Sequence, residues 1–309
     1  VLFTLAILSG GKAMAQFAGG NGTQDNPYLI ATAEQFNKMG EDQDSNTTQG
    51  KYYKQTANLT FGGQDTAFNA IKFSGHYDGG GHWITADRTQ NTALFGQLSG
   101  SVKNVTLFGI DVQTAQSSGI LAVSIGGGRL DTISVLASSL SVLANTSVLF
   151  AGILASSSWT STVFCCGVDN CSISFNPGTW AGEVGGLVGV SHGDTLEYSS
   201  FSGKIDLYGS SQNRYASGLI GRANGSSVKA CMVSDGYVNM IENANANICG
   251  LVYSVGNPHT AIRNSAVEAN FGLNFMGQPY LNNPNVYEIS NSTDTSKCAT
   301  IHSDASTSY

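Results

Sequence analysis

Charged residues are scarce in this chain: Asp, Glu, Lys and Arg together make up 11% of its 309 residues. The Lys and Arg residues are scattered, and the net charge is -7. The sequence therefore has neither the basic stripe that binds nucleic acid nor a polybasic membrane anchor. So low a charge content is also untypical of a coiled coil or of a charged disordered chain. We expect no nucleic-acid partner.

Long hydrophobic runs are missing as well, because no stretch approaches the roughly 20 apolar residues of a membrane-spanning helix. A short, mostly apolar run at 1–8 leads into Ala13-Met14-Ala15. This pattern predicts a signal peptide over 1–15, cleaved after Ala15. A buried terminal strand or a short membrane segment is the alternative. We expect a protein that is secreted or displayed on the cell surface.

The cysteines do not form the pattern of a zinc site. No histidine lies near them, and the pair Cys166 and Cys171 has no second pair to complete four ligands. Cys166 and Cys231 fall at the same place in different repeats, which favours small buried core residues. A disulfide from Cys165 or Cys166 to Cys171 is the alternative in an exported protein. We expect no metal and no cofactor.

What the chain has in abundance is glycine, with 38 residues, and an internal repeat. Six times a small residue precedes two or three apolar residues, with separations of 26, 33, 34, 32 and 32. The repeat anchors are Leu94, Ile120, Ile153, Leu187, Leu219 and Leu251. A period of this size predicts one supersecondary unit per repeat, stacked so that the core becomes continuous.

Each unit contains three short strands separated by turn residues. In the fifth unit these are Gly218 to Gly221, Val228 to Val233 and Tyr237 to Met240. Coiling such units pairs each strand with its equivalent about 4.8 Å away. The prediction is an all-β, right-handed, single-stranded parallel β-helix with its repeats at 61–274. One inward column should contain Val102, Ile133, Val163, Leu196, Val228 and Ile262, and another Leu107, Val168, Phe201, Val233 and Val267.

Both ends of the solenoid differ from the repeats. Thr32 and Gln35 form a capping box that predicts a short helix from Ala33 to Met39, closed by Gly40. An open solenoid end exposes core and strand edges, so we assign 17–60 to an N-terminal cap and first coil. Residues 275–309 are polar and are expected to form a last coil or a tail.

The opening of the chain resembles that of bacterial GLUG-repeat proteins. The matching segments are Gly22-Thr23, Asn26-Pro27-Tyr28-Leu29-Ile30, Thr32 to Gln35, Tyr52 to Lys54, and Phe73 to Ile84. Gly186-Leu187-Val188-Gly189 and Gly218 to Gly221 resemble the repeat itself, and Asn285-Val286-Tyr287 the tail after it. The resemblance implies a right-handed parallel β-helix in a secreted or surface-displayed, adhesin-like protein, with no catalytic residues to transfer. A similarity to pectate-lyase-like β-helices concerns the fold only.

Catalytic candidates are few. Asp78, near His76 and His82, invites comparison with the carboxylates of carbohydrate-active β-helices. An Asp before three glycines is also typical of a tight turn whose carboxylate binds backbone N–H groups. Asp206 is the other acidic candidate. The outward cations that could serve a polysaccharide lyase are Lys204, Arg214, Arg222, Lys229 and Arg263, and scattered solvating charge explains them equally well.

Exposed aromatic residues suggest binding instead. Trp159, Trp180, Tyr208 and Tyr215 could stack on sugars or anchor a protein partner, and packing in the core or in loops is the alternative. We predict an adhesin-like or structural surface module, not an enzyme, with host or environmental glycans or surface proteins as partners. The alternative function is an extracellular polysaccharide lyase or glycoside hydrolase on the same fold.

Overall fold

The computed structural model describes residues 17–41, 43–62, 67–143, 148–178, 180–208, 214–241, 247–254, 260–263 and 265–267. The predicted signal peptide at 1–15, the polar tail at 275–309 and Cys298 lie outside these residues. The last part of the predicted repeat region, 268–274, also lies outside them.

The cap and first coils are built from short elements. These are β1 (Tyr28–Ile30), α1 (Ala33–Lys38), α2 (Ser45–Thr48), β2 (Tyr52–Gln55), β3 (Leu59–Phe61), β4 (Ile71–Phe73), β5 (His76–Asp78) and β6 (Trp83–Ala86). The next coils contain β7 (Phe95–Leu98), β8 (Ser101–Phe108), β9 (Asp111–Thr114), β10 (Ala122–Gly126), β11 (Arg129–Leu136), β12 (Ser139–Leu143), β13 (Leu149–Gly152), β14 (Ala155–Trp159), β15 (Thr162–Phe164) and β16 (Gly167–Asn176).

The remaining coils repeat the same order. They contain β17 (Gly182–Gly185), β18 (Val188–His192), β19 (Thr195–Glu197), β20 (Ser200–Leu207), β21 (Arg214–Ser217), β22 (Ile220–Asn224), β23 (Ser227–Lys229), β24 (Met232–Met240), β25 (Asn247–Cys249), β26 (Val252–Ser254), β27 (Ala261–Arg263) and β28 (Ala266–Val267).

In the part of the chain that the structure describes, the strands stack coil upon coil into three sheets of 17, seven and four strands. Successive coils contribute β4, β7, β10, β14, β18, β22 and β26 to the seven-stranded sheet, and β13, β17, β21 and β25 to the four-stranded sheet. Neighbouring strands in this stack run parallel, as in the pairings of β14 with β18 and of β18 with β22. The predicted all-β parallel β-helix is confirmed.

The long sheet contains the two inward columns, with one correction. The first consists of Val102, Leu130, Val163, Leu196, Val228 and Ile262. The second consists of Leu107, Val135, Val168, Phe201, Val233 and Val267. The placement of Ile133 in the first column was wrong, because Ile133 pairs with Val105 and Leu130 occupies that column.

The repeat anchors lie at a corner rather than inside a strand. Leu219 falls between β21 and β22, so Gly218 and Leu219 form a bend, and only Ile220 and Gly221 of the expected strand belong to one. The pairings just after this corner place Leu94, Leu121, Leu154, Leu187, Leu219 and Leu251 in one column. Ile120 and Ile153 are therefore one residue out of step with that column, although both are fully buried.

Packing explains this offset. Ile153 is level with Gly186 of the next coil, since Gly152 pairs with Gly185. A Cβ on Gly186 would lie 2.3 Å from the Phe201 ring, whereas the coil of Ile153 has the smaller Val168 in the place of Phe201. A large residue at one position is matched by a small one at the other, as dense core packing requires.

The N-terminal cap closes the first coils with aromatic side chains. Helix α1 begins at Thr32, whose hydroxyl accepts from the Gln35 N–H, and the Gln35 side chain accepts from Ala31. The buried Phe36 ring contacts the rings of Phe61, Tyr77 and Phe95 with centroids 5.4 to 5.7 Å apart. The helix thus covers the core where the solenoid begins.

The cysteines support the core interpretation. Cys166, Cys171 and Cys231 are buried and carry no disulfide, and Cys165 is exposed and also unpaired. The alternative bond from Cys165 or Cys166 to Cys171 is therefore absent. Cys249 is buried.

Each coil turns at residues with left-handed backbone. One corner of the long sheet uses Asn104, Thr132, Cys165, Tyr198 and Ala230, all with φ between 52° and 57°. Such a residue interrupts the alternation of a strand, so the inward positions on its two sides are three residues apart. This geometry separates Leu130 from Ile133 and Val163 from Cys166.

Candidate functional site

One outer surface of the long sheet carries two continuous columns of side chains, and we name it the ladder facet. Its first column is Tyr52, His76, Ser101, Arg129, Thr162, Thr195, Ser227 and Ala261. Its second column is Lys54, Asp78, Lys103, Asp131, Phe164, Glu197, Lys229 and Arg263. Period-two alternation directs these residues outward, since Tyr77, Val102 and Val163 between the columns are buried.

A groove of about 530 Å³ lies at the N-terminal end of this facet. The Tyr52 ring stacks on His76 with centroids 4.4 Å apart, and His76 Nδ1 lies 2.8 Å from the Ser101 hydroxyl. Asp78 and Lys103 line the same groove. The groove combines aromatic faces with hydrogen-bonding groups, which is the composition of many small polar-ligand sites.

Asp78 is held as a carboxylate in this groove. Its Oδ1 accepts from the Gly80 N–H at 2.9 Å and from Asn104 Nδ2 at 3.0 Å, and its Oδ2 lies 3.3 Å from Lys103 Nζ. Partial burial acts to raise the pKa of Asp78, but the Gly80 and Asn104 hydrogen bonds and the Lys103 charge outweigh it and lower the pKa. A general acid needs a raised pKa, so this geometry matches the turn interpretation.

The other acidic candidate, Asp206, does not assemble with Asp78. Asp206 lies in β20, four coils along, which is about 19 Å at 4.8 Å per coil. Asp206 is 5% exposed, pairs with Lys204 at 2.8 Å and accepts from Asn239 at 2.9 Å. His82 is half-buried in the turn after Asp78, where its N–H donates to the Gly79 carbonyl. The structure therefore does not bring Asp78 and Asp206 together as a pair of carboxylates.

An aromatic pair that the sequence did not single out lies further along the facet. The rings of Phe164 and Tyr198 meet edge to face with centroids 5.5 Å apart. Arg129 lies 5.6 Å from the Phe164 ring centre, and Lys229 lies 5.8 Å from that of Tyr198. We name these four residues the aromatic platform.

Tyr198 occupies a position that its side chain does not favour. Its φ is 52°, in the left-handed region, and it is 51% exposed. Bulky residues rarely adopt this conformation, and Asn104 at the same corner is of a type that tolerates it. A large exposed ring at such a position motivates a functional hypothesis.

The four predicted aromatic residues do not share one surface. Trp159 ends β14 in the seven-stranded sheet, is 40% exposed and covers Gly126 of the preceding coil. Trp180 precedes β17 of the four-stranded sheet and is 47% exposed. Tyr208 follows β20 and is half-buried, and Tyr215 stacks on Tyr253 with centroids 4.1 Å apart. Of the outward cations we predicted, Lys229 and Arg263 lie on the ladder facet.

We also did not single out two buried acidic residues from the sequence. Glu183 is buried and pairs with Arg222 at 3.1 Å. Burial raises the pKa of Glu183 against the opposing charge of Arg222. Asp194 is 1% exposed and accepts from the Ser191 hydroxyl at 2.5 Å and the Ser161 N–H at 2.8 Å. Burial raises the pKa of Asp194 despite these hydrogen bonds.

Within the described residues, no three His, Cys, Asp or Glu side chains cluster as a metal site would require. No helix in that same part of the chain has the length and apolar character to cross a bilayer.

Comparison with known proteins supports the fold and leaves the family open. No family model matches the chain. A protein of Evansella cellulosilytica described as a "Putative Gly-rich membrane protein" is 36% identical over 136 residues, covering 38% of this chain. The match spans 15% of that relative's length.

A solved structure has a similar fold. It is described as a "putative immunoglobulin A1 protease" from Bacteroides ovatus, and it superimposes with a TM-score of 0.51 over 80% of this chain and 86% of its own. The sequence identity is 17%, so the similarity concerns architecture alone.

Proposed function

We propose that this chain is a β-helical binding module of a secreted or cell-surface protein, adhesin-like in role, and that it binds its partners through the ladder facet. The observation that carries the proposal is the alignment of aromatic, cationic and hydroxyl side chains along one sheet face. Stacked strands hold these groups at a fixed spacing, and a rigid, preorganised surface lowers the entropic cost of binding.

The compartment is proposed on separate grounds. The residues before the cap have the pattern of a signal peptide, and the relative from Evansella cellulosilytica is described as a membrane protein. The GLUG-like segments of the cap and of the fourth and fifth repeats point the same way, toward a bacterial surface protein.

The state of the candidate acids favours binding over hydrolysis. Asp78 has a lowered pKa and three hydrogen-bonding or ionic partners, whereas an acid catalyst at a glycosidic bond needs a protonated carboxyl group. Asp206 is buried and paired with Lys204. Four coils separate Asp78 from Asp206, so the two candidates do not form a pair with each other.

The proposal is tested by incubating the purified chain with panels of immobilised glycans and of cell-surface proteins. We expect retention of the chain without cleavage, and loss of retention when Phe164 and Tyr198 are replaced by Ala and Asn. Trp180→Ala, outside the facet, serves as the matched aromatic control. Release of sugar products, or failure of the folded chain to bind any member of either panel, would contradict the proposal.

A further inference from the structure

The ladder facet is cationic although the chain is acidic. Its two columns contain five cations and three carboxylates, in a chain with 14 Lys and Arg against 21 Asp and Glu. The cations are Lys54, Lys103, Arg129, Lys229 and Arg263. This concentration of positive charge on one face implies an anionic partner, because complementary charge steers association.

The ion pairs on the facet leave the cations accessible. Lys103 is 54% exposed beside Asp78, and Arg129 is 51% exposed beside Asp131. Lys229 is 44% exposed and stands 3.8 Å from Glu197, which is longer than a hydrogen bond. Such exposed pairs contribute little to stability and can exchange partners at small cost.

The cations at the two ends of the facet form no ion pairs among the described residues. Among the described residues, neither Lys54 nor Arg263 has a carboxylate within ion-pair distance, and both side chains are exposed. The positive charges therefore recur along the whole facet, on both sides of the aromatic platform.

The aromatic platform adds a second requirement. Tyr198 offers a half-exposed ring beside Lys229, and its left-handed backbone is one that bulky side chains disfavour. Arg129 lies beside the neighbouring ring of Phe164. A partner that suits this surface has flat, weakly polar faces that stack on rings and anionic groups that reach the flanking cations.

From these contacts we infer that the ladder facet binds a linear polysaccharide whose sugar units carry carboxylates. Sugar rings stack on Phe164 and Tyr198, and carboxylates pair with Lys103, Arg129 and Lys229 along the sheet. This assignment rests on the proposed binding function and names its ligand class.

Affinity chromatography on polygalacturonate, alginate, dextran sulfate and neutral dextran tests the assignment. We expect retention on the two uronate polymers and none on dextran, with retention falling as added salt shortens the screening length to roughly 3 Å at 1 M. The double variant Arg129→Gln, Lys229→Gln should bind on the order of tenfold more weakly, the loss expected for charge-assisted hydrogen bonds. Lys72→Gln, which removes an exposed cation from β4, should bind as the wild type does.

Tyr198→Asn separates binding from folding. Asn tolerates the left-handed backbone, so we expect an unchanged circular dichroism spectrum together with weaker retention on polygalacturonate. Unchanged retention of this variant would overturn the assignment of the platform.

The remaining outcomes distinguish the two proposals. Equal retention on dextran and polygalacturonate, or retention on dextran sulfate alone, would overturn the carboxylate assignment while leaving a binding module. No retention on any polysaccharide or surface protein would contradict the binding function itself.

Discussion

The rings of Tyr198 and Phe164, from neighbouring coils, meet edge to face with centroids 5.5 Å apart and an interplanar angle of 76°. Phe164 extends from a regular strand, whereas Tyr198 extends from a corner with φ of 52°. The contact therefore joins a ring on a regular strand of the facet to a ring on a residue whose left-handed backbone costs free energy.

That cost can be measured by two substitutions that both remove the ring. Asn adopts the left-handed region at a lower cost than a β-branched residue does, so Tyr198→Val should be less stable than Tyr198→Asn by about 1 to 3 kcal/mol. Chemical denaturation of the two variants provides the comparison. Equal stability would show that this corner does not impose the left-handed conformation.

Gly186 should not tolerate a side chain. A Cβ there would lie 2.2 Å from the Gly218 carbonyl oxygen and 2.3 Å from the Phe201 ring. We expect Gly186→Ala to cost about 1 to 3 kcal/mol through overpacking. Gly167→Ala is the matched control, because its Cβ would meet only the Ser200 hydroxyl at 3.8 Å. A similar loss in both variants would contradict the predicted packing.

The buried carboxyl of Asp194 should make stability depend on pH. Burial raises its folded-state pKa above the ordinary value of 3.8. The folded state thus binds the proton more tightly, and the contribution to stability is complete below pH 3.8 and is lost as pH rises through the folded pKa.

Asp194→Ser should remove this dependence, since Ser161 and Ser226 occupy the same corner in the adjacent coils. We expect the melting temperature of the wild type to fall relative to that of the variant as the pH rises above 3.8. Asp169→Ser, at an exposed acid, is the control and should leave the wild-type profile unchanged. If the melting temperatures of wild type and Asp194→Ser depend on pH in the same way, burial does not raise the pKa of this carboxyl group.

The pair of Glu183 and Arg222 should behave as a buried ion pair. Removing Arg222 alone leaves Glu183, with a side chain 6% exposed, without its counter-ion. We expect Arg222→Met to destabilise the fold by up to about 3 kcal/mol, a value reduced for the partial exposure of Arg222. Adding Glu183→Leu should recover most of the loss in a double-mutant cycle. Additive losses in the double variant would exclude the coupling.

Thiol labelling should discriminate among the four unpaired cysteines of the described residues. Burial raises the pKa of Cys166 to about 12 and the pKa values of Cys171 and Cys231 to about 11. The thiolate is the reactive species, so these three should label only after unfolding. Cys165 is exposed and should label in the native protein. Mass spectrometry of digested, labelled protein would detect any native modification of Cys166, which would contradict this placement.

The second inward column was predictable because its spacing is set within single strands. Phe201, for example, lies between the outward Ser200 and Ser202, and this period of two is visible in the sequence. The first column failed only at Ile133, because the left-handed Thr132 lies between it and Leu130 and shifts the alternation. A sequence pattern does not reveal which polar residue adopts that conformation.

The repeat anchors show a second limit. Ile153 and Leu154 fit the repeat pattern equally well, and the choice between them depends on Val168 from another strand. The aromatic platform was missed for a similar reason. Phe164, Tyr198 and Lys229 belong to successive coils, and only the stacking register brings them together.

That register can be tested by disulfide trapping in a Cys165→Ser background. Thr162 and Thr195 are direct partners in adjacent parallel strands, so their Cα atoms lie about 4.8 Å apart, within reach of a disulfide. Ser227 lies one coil further along. We predict that Thr162→Cys with Thr195→Cys forms an intramolecular disulfide on mild oxidation, whereas Thr162→Cys with Ser227→Cys does not. A bond in the second variant and none in the first would contradict the stacked facet on which the proposed binding depends.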